Sequence, residues 1–593
     1  MTTKNPREAE EGMIRFAQYN PPGEVEYVLR SGKIIGDQES PQQMIERVTT
    51  TLFSPEEQFG TPPKETQRMT EEFAQYMVDG YLMPGTPTLT NAGRYENALS
   101  SCVVIPVDLR EQSARGKITH YYRQNMGSGF DFTPYDDPVS LLMWINSLSA
   151  EETATEQYDR YIGNMGTLHV SHPHIEQFIR AKSEHVMPHF NISVDVSEAF
   201  MEAALAGTPF VLADGTEVDA DVLLTTTAEN AWLTGDPGII YMERMNRDNP
   251  LANISPYVST PPCSEMGLSA GETCQFGYLN LARFVRPGGN GEAEMDYAKL
   301  ADATCLMTRV LDNAVEYSIS RYPDPISADV ARLKRKIGIG VCGLSDMFLR
   351  YNMPYDSDEA RVIARDVLSF INYTSKQASV ELAQHRGPCE AMHMVFGNTF
   401  RDGRYLEEKF GVSPTNTISS KEWEELGAYI RASGNLRNIL TTSLPPTGRA
   451  SLLLSASASV EPFFQVVSTS GEITGTIRSF LEREFDDNKT LVDQVIQEAK
   501  ATGSFQDIPE LSGHTRRCLQ TATEISPGEH LKMVAALAGM RGVVDEAASK
   551  TINLPEYATV AQVREIYVQS YQLGIKNISV YRDRSKEGQP EKL

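Results

Sequence analysis

A chain of 593 residues with 54 basic against 79 acidic side chains has a formal charge of −25: large enough for an elaborate catalytic core, too acidic for a surface that grips nucleic acid. Hydrophobic residues make up 40% and charged residues 22%, the balance of a folded and not a disordered protein. No run nears the ~18 apolar residues of a membrane span, and no N-terminal stretch joins a basic flank to an apolar core. Seven cysteines with no Cys-x-x-Cys make neither a disulfide framework nor a zinc ribbon, so a cytoplasmic protein with free thiols is expected, with no nucleic-acid or membrane partner.

In chain order, residues 1–75 carry amphipathic stretches at 42–52 and 65–78, which predict an N-terminal helical region. A catalytic core follows over 76–470, where short strand candidates at 101–107, 190–196 and 439–444 alternate with longer helical patterns, the mark of α/β architecture. Residues 328–351 read as helix-dominated, and 360–385 continue with apolar residues three and four apart. The last part, 471–593, predicts helices at 528–544 and 559–573, a strand at 578–581 and a loose polar end over 585–593, elements that complete the core.

The most informative segment is Pro261-Pro262-Cys263-Ser264-Glu265, followed by Glu272-Thr273-Cys274-Gln275-Phe276-Gly277-Tyr278-Leu279-Asn280-Leu281. Prolines before Cys263 and glycines after it forbid a regular helix or strand interior, so the thiol sits on a shaped loop two residues from a carboxylate. Such a pair can divide the labour, the acid moving a proton while the sulfur does redox chemistry. Taken alone, an inert buried Cys beside a surface Glu explains the segment as well. The stretch Pro445-Pro446-Thr447-Gly448-Arg449-Ala450-Ser451 reads as a Gly-containing turn into a helix, whose amides and hydroxyls could cradle a phosphate or simply start that helix.

The first segment resembles the finger loop of ribonucleotide reductase catalytic subunits, Asn-Pro-Cys-Gly-Glu. Further matches follow in the family's order: Met83-Pro84-Gly85-Thr86-Pro87-Thr88-Leu89, Leu99-Ser100-Ser101-Cys102-Val103-Val104, Asn164-Met165-Gly166, Phe190-Asn191-Ile192-Ser193-Val194, Ile337-Gly338-Ile339-Gly340, the 445–451 loop with Val460-Glu461-Pro462-Phe463, and Ser549-Lys550-Thr551-Ile552-Asn553-Leu554-Pro555. Together they span about residues 25 to 585.

The resemblance implies a ten-stranded α/β barrel with Cys263 on a loop inside it and Cys102 and Cys274 on flanking strands. It implies that Cys263 carries a thiyl radical, that Glu265 moves a proton, and that Cys102 and Cys274 supply two electrons by forming a disulfide. Thr86, Ser101, Pro261 and the loop Pro446, Thr447, Gly448, Arg449, Ala450 and Ser451 would hold a ribonucleotide. The end Gly574-Ile575-Lys576-Asn577-Ile578-Ser579-Val580-Tyr581-Arg582 lacks the adjacent tyrosines of an iron-subunit relay and is similar to the adenosylcobalamin-dependent class, so that cofactor is expected. A homodimer and a deoxynucleoside triphosphate (dNTP) effector at its interface follow by resemblance, without an ATP-cone switch.

Three departures stand out. Pro261 replaces the family's asparagine and offers neither a side-chain amide nor a backbone N–H. Arg449 replaces a small or hydroxyl residue, an added phosphate contact or a sign of another substrate. No Cys-x-x-Cys tail is present, so an external dithiol or thioredoxin-like reductant is expected to reopen the disulfide. These departures keep two rivals in view, a diverged radical enzyme of specialised nucleotide metabolism and a catalytically silent nucleotide-binding paralogue; product analysis separates the first, and loss of cobalamin-dependent turnover would mark the second.

Two motifs read as decoys. Gly338-Ile339-Gly340-Val341-Cys342-Gly343 fits the dinucleotide fingerprint but follows a charged run with no clear strand, so close helix packing is the better account. His169, His172, His174, His185 and His189 have no nearby cysteine and no zinc spacing, and are read as surface and turn residues with no metal.

Overall fold

The computed structural model describes residues 14, 16, 18–155, 159–289, 292–467 and 473–585. The anticipated loose end beyond Ser585 lies outside them. N-terminal helices at Gly23–Ser31, Pro41–Phe53 and Pro63–Val78 bury one apolar stripe each; in the second, Met44, Ile45, Val48 and Leu52 face the core. A Ser40–Gln43 capping box starts that helix, and Pro41 at its first position costs no hydrogen bond.

The core strands are β1 (Leu82–Pro84), β2 (Cys102–Val104), β3 (Gly127–Asp131), β4 (Asn164–His169), β5 (Phe190–Asp195), β6 (Gly238–Ile240), β7 (Thr273–Cys274), β8 (Phe276–Asn280), β9 (Gly338–Cys342), β10 (Thr551–Leu554) and β11 (Asn577–Arg582). Strands β2 to β6 pair in sequence order, all parallel. Their connections carry helices, as parallel crossovers demand. In the other half β11 lies parallel beside β10 and β8 parallel beside β9, while the short β1 runs antiparallel to β8. Single parallel bridges, Ile339 to Thr442 and Leu444 to Ala548, carry the pairing from β9 through residues 442–444 towards β10.

The halves meet antiparallel at two seams, β6 with β11 and β2 with β7. Since β8 continues β7 after one residue, the eight-stranded sheet that contains β7 runs on into the three-stranded sheet of β1, β8 and β9, which single bridges link towards β10. Most inward and outward faces of these strands are buried, as expected of a sheet covered by helices on one side and filled on the other.

Three sequence expectations need correction. The stretch 328–351 is not continuous helix: helices Pro325–Lys334 and Leu344–Arg350 flank strand β9. Its glycines serve barrel packing, not helix packing; a Cβ on Gly340 would lie 2.8 Å from the Pro445 ring. Glycine therefore hid a strand whose residues are buried on both faces and show no alternation. The helix expected over 528–544 ends at Ala538, where Gly539 leaves helical conformation. Residues 439–444 run beside β9 but engage through single bridges and not a full ladder.

Candidate active site

Residues 261–265 run among the core strands, against β3 and β5. A Cβ on Gly129 would sit 2.2 Å from the Thr260 carbonyl oxygen, so only glycine at the middle of β3 lets the loop pass. The loop is tied on several sides: Asn191 Nδ2 donates to Pro262 O at 2.9 Å, while Ser443 Oγ and the Ala547 N–H donate to Glu265 O at 2.8 and 3.1 Å. Ser264 takes φ +59°, a left-handed turn that points Cys263 and Glu265 to the cavity.

Just beyond the loop, Lys336 Nζ donates to Gly267 O at 2.7 Å and pairs with Glu272 and Glu546, each at 3.0 Å. Glu546 also accepts from the Gly267 N–H. The three charged groups are nearly inaccessible to solvent, so pairing is what makes their burial tolerable.

The cavity beside the loop has a volume of about 240 Å³ and is lined by Thr86, Ser101, Cys102, Cys263, Glu265, Pro446, Thr447, Gly448 and Arg449 among others. Cys263 is accessible and yet surrounded by protein; what its sulfur touches is the cavity and not bulk solvent. Burial, and then the neighbouring Glu265, push its thiol well up, so it stays S–H. Glu265 is pushed up to about 8, chiefly by burial, and its Oε2 has no hydrogen-bond partner.

Cys102 on β2 stands directly opposite Cys274 on β7. The Cys102 thiol is held down to about 7, first by a hydrogen bond from Cys274 and, against desolvation, by Arg160. Burial and that same contact push Cys274 well up. Of the two, Cys102 is therefore the more acidic thiol, and Cys274 Sγ donates to the Cys102 carbonyl oxygen at 3.7 Å.

Of the residues singled out in the sequence, Cys274, Pro261, Ala450 and Ser451 do not line the cavity. Cys274 sits behind Cys102, Ala450 is fully buried, and Ser451 Oγ turns back to Gly448 O at 2.8 Å. Pro261 is buried at the root of the loop. Missed residues include Tyr278, whose hydroxyl donates to Pro446 O at 3.1 Å, and Arg160, whose guanidinium donates to Ser101 O at 2.6 Å. Alternation along the strand puts 274, 276 and 278 on one face and could have found Tyr278; no spacing rule could have found Arg160.

A second cavity, about 460 Å³, meets the loop from its other side. It shares Pro262 and Cys263 with the first, and Asn191, Asp236, Lys550, Asn553 and Tyr581 contribute polar groups. The histidines do not converge on either space, and two of them are not surface residues as expected: His172 and His189 are buried, their rings bound to the Tyr135 and Ile162 carbonyls. Each short turn needed its carbonyl satisfied, which outweighed exposure.

A thiol on an interior loop, a buried carboxyl and one cysteine of a facing dithiol line one cavity and define a thiol-based redox enzyme. The chain belongs to the ribonucleotide reductase large-subunit family: the model described as "ribonucleotide reductase, barrel domain" matches residues 135–581, and that for the "all-alpha domain" matches 26–96. It is 31% identical over 595 residues to the vitamin B12-dependent ribonucleoside-diphosphate reductase of Mycobacterium tuberculosis (strain CDC 1551 / Oshkosh), covering 95% of this chain and 79% of that protein. The protein of the same name from Thermoplasma acidophilum is 29% identical over 87% of this chain and 65% of its own length. In fold, the Actinobacillus ureae class Id ribonucleotide reductase alpha subunit superposes with a TM-score of 0.73 at 18% identity, over 95% of this chain and 98% of that one.

Proposed function

We propose that this chain reduces ribonucleotides to 2′-deoxyribonucleotides through a radical on Cys263. One observation carries the reading: the Cys263 sulfur stands in the wall shared by two cavities, with Cys102 and Glu265 lining the first. In this scheme the ribose lies against Cys263, and Thr447, Gly448 and Arg449 face its phosphates.

The Cys263 thiyl removes the 3′ hydrogen, Glu265 takes the 3′ hydroxyl proton, and the 2′ hydroxyl departs as water. Cys102 and Cys274, starting as two thiols, give two electrons and two protons, one proton to the departing water and one to C2′, and end as a disulfide; Cys263 then returns the 3′ hydrogen and Glu265 the 3′ hydroxyl proton. The raised thiol of Cys263 suits hydrogen-atom transfer and the lowered thiol of Cys102 suits electron donation.

The polar wall of the second cavity, with Asn191, Asp236, Lys550 and Asn553, suits the hydroxyls and ring nitrogens of an adenosyl group. Adenosylcobalamin, in line with the names of the relatives, would supply the radical by cleavage of its cobalt–carbon bond. A cytoplasmic setting with an external dithiol or thioredoxin-like reductant, and a homodimer that binds a dNTP effector, belong to the same proposal. Among the described residues no helix is long and apolar enough to cross a membrane.

The test is anaerobic incubation with adenosylcobalamin, a dithiol and each ribonucleotide, followed by mass analysis. Deoxyribonucleotide formed by the native chain and lost in Cys263→Ser is the expected result. Undiminished turnover in that variant would overturn the proposal.

A further inference from the structure

Away from the catalytic cavity, another cavity of about 280 Å³ lies between residues 19–25, the end of β8 and residues 453–456. The last of these follow directly from the helix Arg449–Leu453, so the space sits behind the loop that lines the catalytic cavity. Three buried polar atoms in its wall have no hydrogen-bond partner: Asn280 Oδ1, Asp346 Oδ1 and Arg350 Nε. Buried polar atoms are rarely left so, because burial strips their water without replacing it. The catalytic cavity bears the same mark, in Glu265 Oε2.

The charges around this space are uneven. Asp346 is only 1% exposed, and its other oxygen accepts the Ser457 N–H at 2.7 Å. Facing it are Arg350 and Arg283, and a third guanidinium, Arg483, lies close enough to disfavour the Arg350 charge. Arg483 spends a donor on Leu349 O and Arg283 two on Asp79 O, whereas Arg350 Nε is free. Among the described residues that line the space, two guanidiniums stand against one carboxylate, an excess that suits an anion, and guanidiniums match the oxygens of a phosphate. The two orphan acceptors call for hydroxyl donors on the same molecule. Tyr19, Pro21 and Pro22 close the apolar side.

We infer that this cavity binds a small phosphate ester bearing free hydroxyls, its phosphate on Arg350 and Arg283 and its hydroxyls donating to Asp346 and Asn280. The volume is close to that of the catalytic cavity and suits a pentose phosphate.

Titration calorimetry of the full chain with ribose 5-phosphate, inorganic phosphate and ribose tests this without any need for turnover. Ribose 5-phosphate is expected to bind, and Arg350→Gln and Asp346→Asn each to weaken it roughly tenfold or more. Arg449→Ser, in the catalytic cavity, is expected to leave that binding unchanged. Asp346→Asn keeps an acceptor for Ser457, so a native melting curve for that variant shows that lost binding is not lost folding. No binding up to about 10 mM, or loss through Arg449→Ser with none through Arg350→Gln, would overturn the site. Inorganic phosphate binding as tightly as the ester would overturn the role given to the hydroxyl acceptors.

Discussion

Cys102 and Cys274, 172 residues apart, face each other directly across the antiparallel seam between β2 and β7. Directly opposed residues lie ~4.5–5.5 Å apart at Cα, inside the range a disulfide spans, so the pair can close and open with little backbone movement. Such a pair stores two electrons and no more.

With no external dithiol, turnover is therefore expected to stop near about one deoxyribonucleotide per chain, and peptide mapping should find Cys102 linked to Cys274. Cys274→Ala should bind nucleotide normally and lose multiple turnover by ~100-fold or more. Continued product formation without dithiol would exclude the pair as the electron source.

The asymmetry of the pair is also measurable. Because Cys274 and then Arg160 hold the Cys102 thiol at about 7, Cys102 should alkylate faster than Cys274 at neutral pH. In Arg160→Gln the pH midpoint of Cys102 alkylation should move upward while that of Cys274 changes little. An unmoved midpoint would assign the lowered value to the Cys274 contact alone.

Glu265 predicts opposite pH trends for activity and stability. As a proton acceptor it must be ionised, so kcat/KM should fall tenfold per pH unit below about 8. For stability the sign is reversed: a carboxyl whose value rises on folding is held best in its protonated form, so its contribution is complete at acid pH and is lost as pH rises towards about 8. Glu265→Gln should thus melt a few degrees (~2–4 °C) higher than the native chain at pH 8, with the gain vanishing near pH 4. Equal melting temperatures at both pH values would show the carboxyl to be solvated.

Lys336→Met removes the cation shared by Glu272 and Glu546 and the donor to Gly267 O. Two buried carboxylates lose a partner, and a loss of ~3–5 kcal/mol in denaturant unfolding is expected. Glu272 is held near 2, against its burial, by Lys334 and Lys336, so part of its stabilisation is present above its ordinary value and is lost as pH falls towards about 2. The deficit of the variant should accordingly shrink on acidification. A loss below about 1 kcal/mol would mean that water replaces the ammonium.

What the sequence determined by itself is local. Proline and glycine around Cys263 impose a loop whatever surrounds it, apolar spacing laid out helices such as Asp358–Arg386, and the ordered motifs named the family. It could not show β9, because glycines that admit Phe276 and Pro445 look like breaks in any periodic pattern. Nor could it show that Arg160 approaches Cys102, that Cys274 lies behind its partner and outside the cavity wall, or that Ala450 and Ser451 turn away from it. Those facts depend on contacts between residues tens to hundreds of positions apart, which exist only once the two halves have met. Burial then does the rest: the same enclosure raises Glu265 and Cys263, while a neighbouring thiol and guanidinium lower Cys102, and no sequence spacing encodes either field.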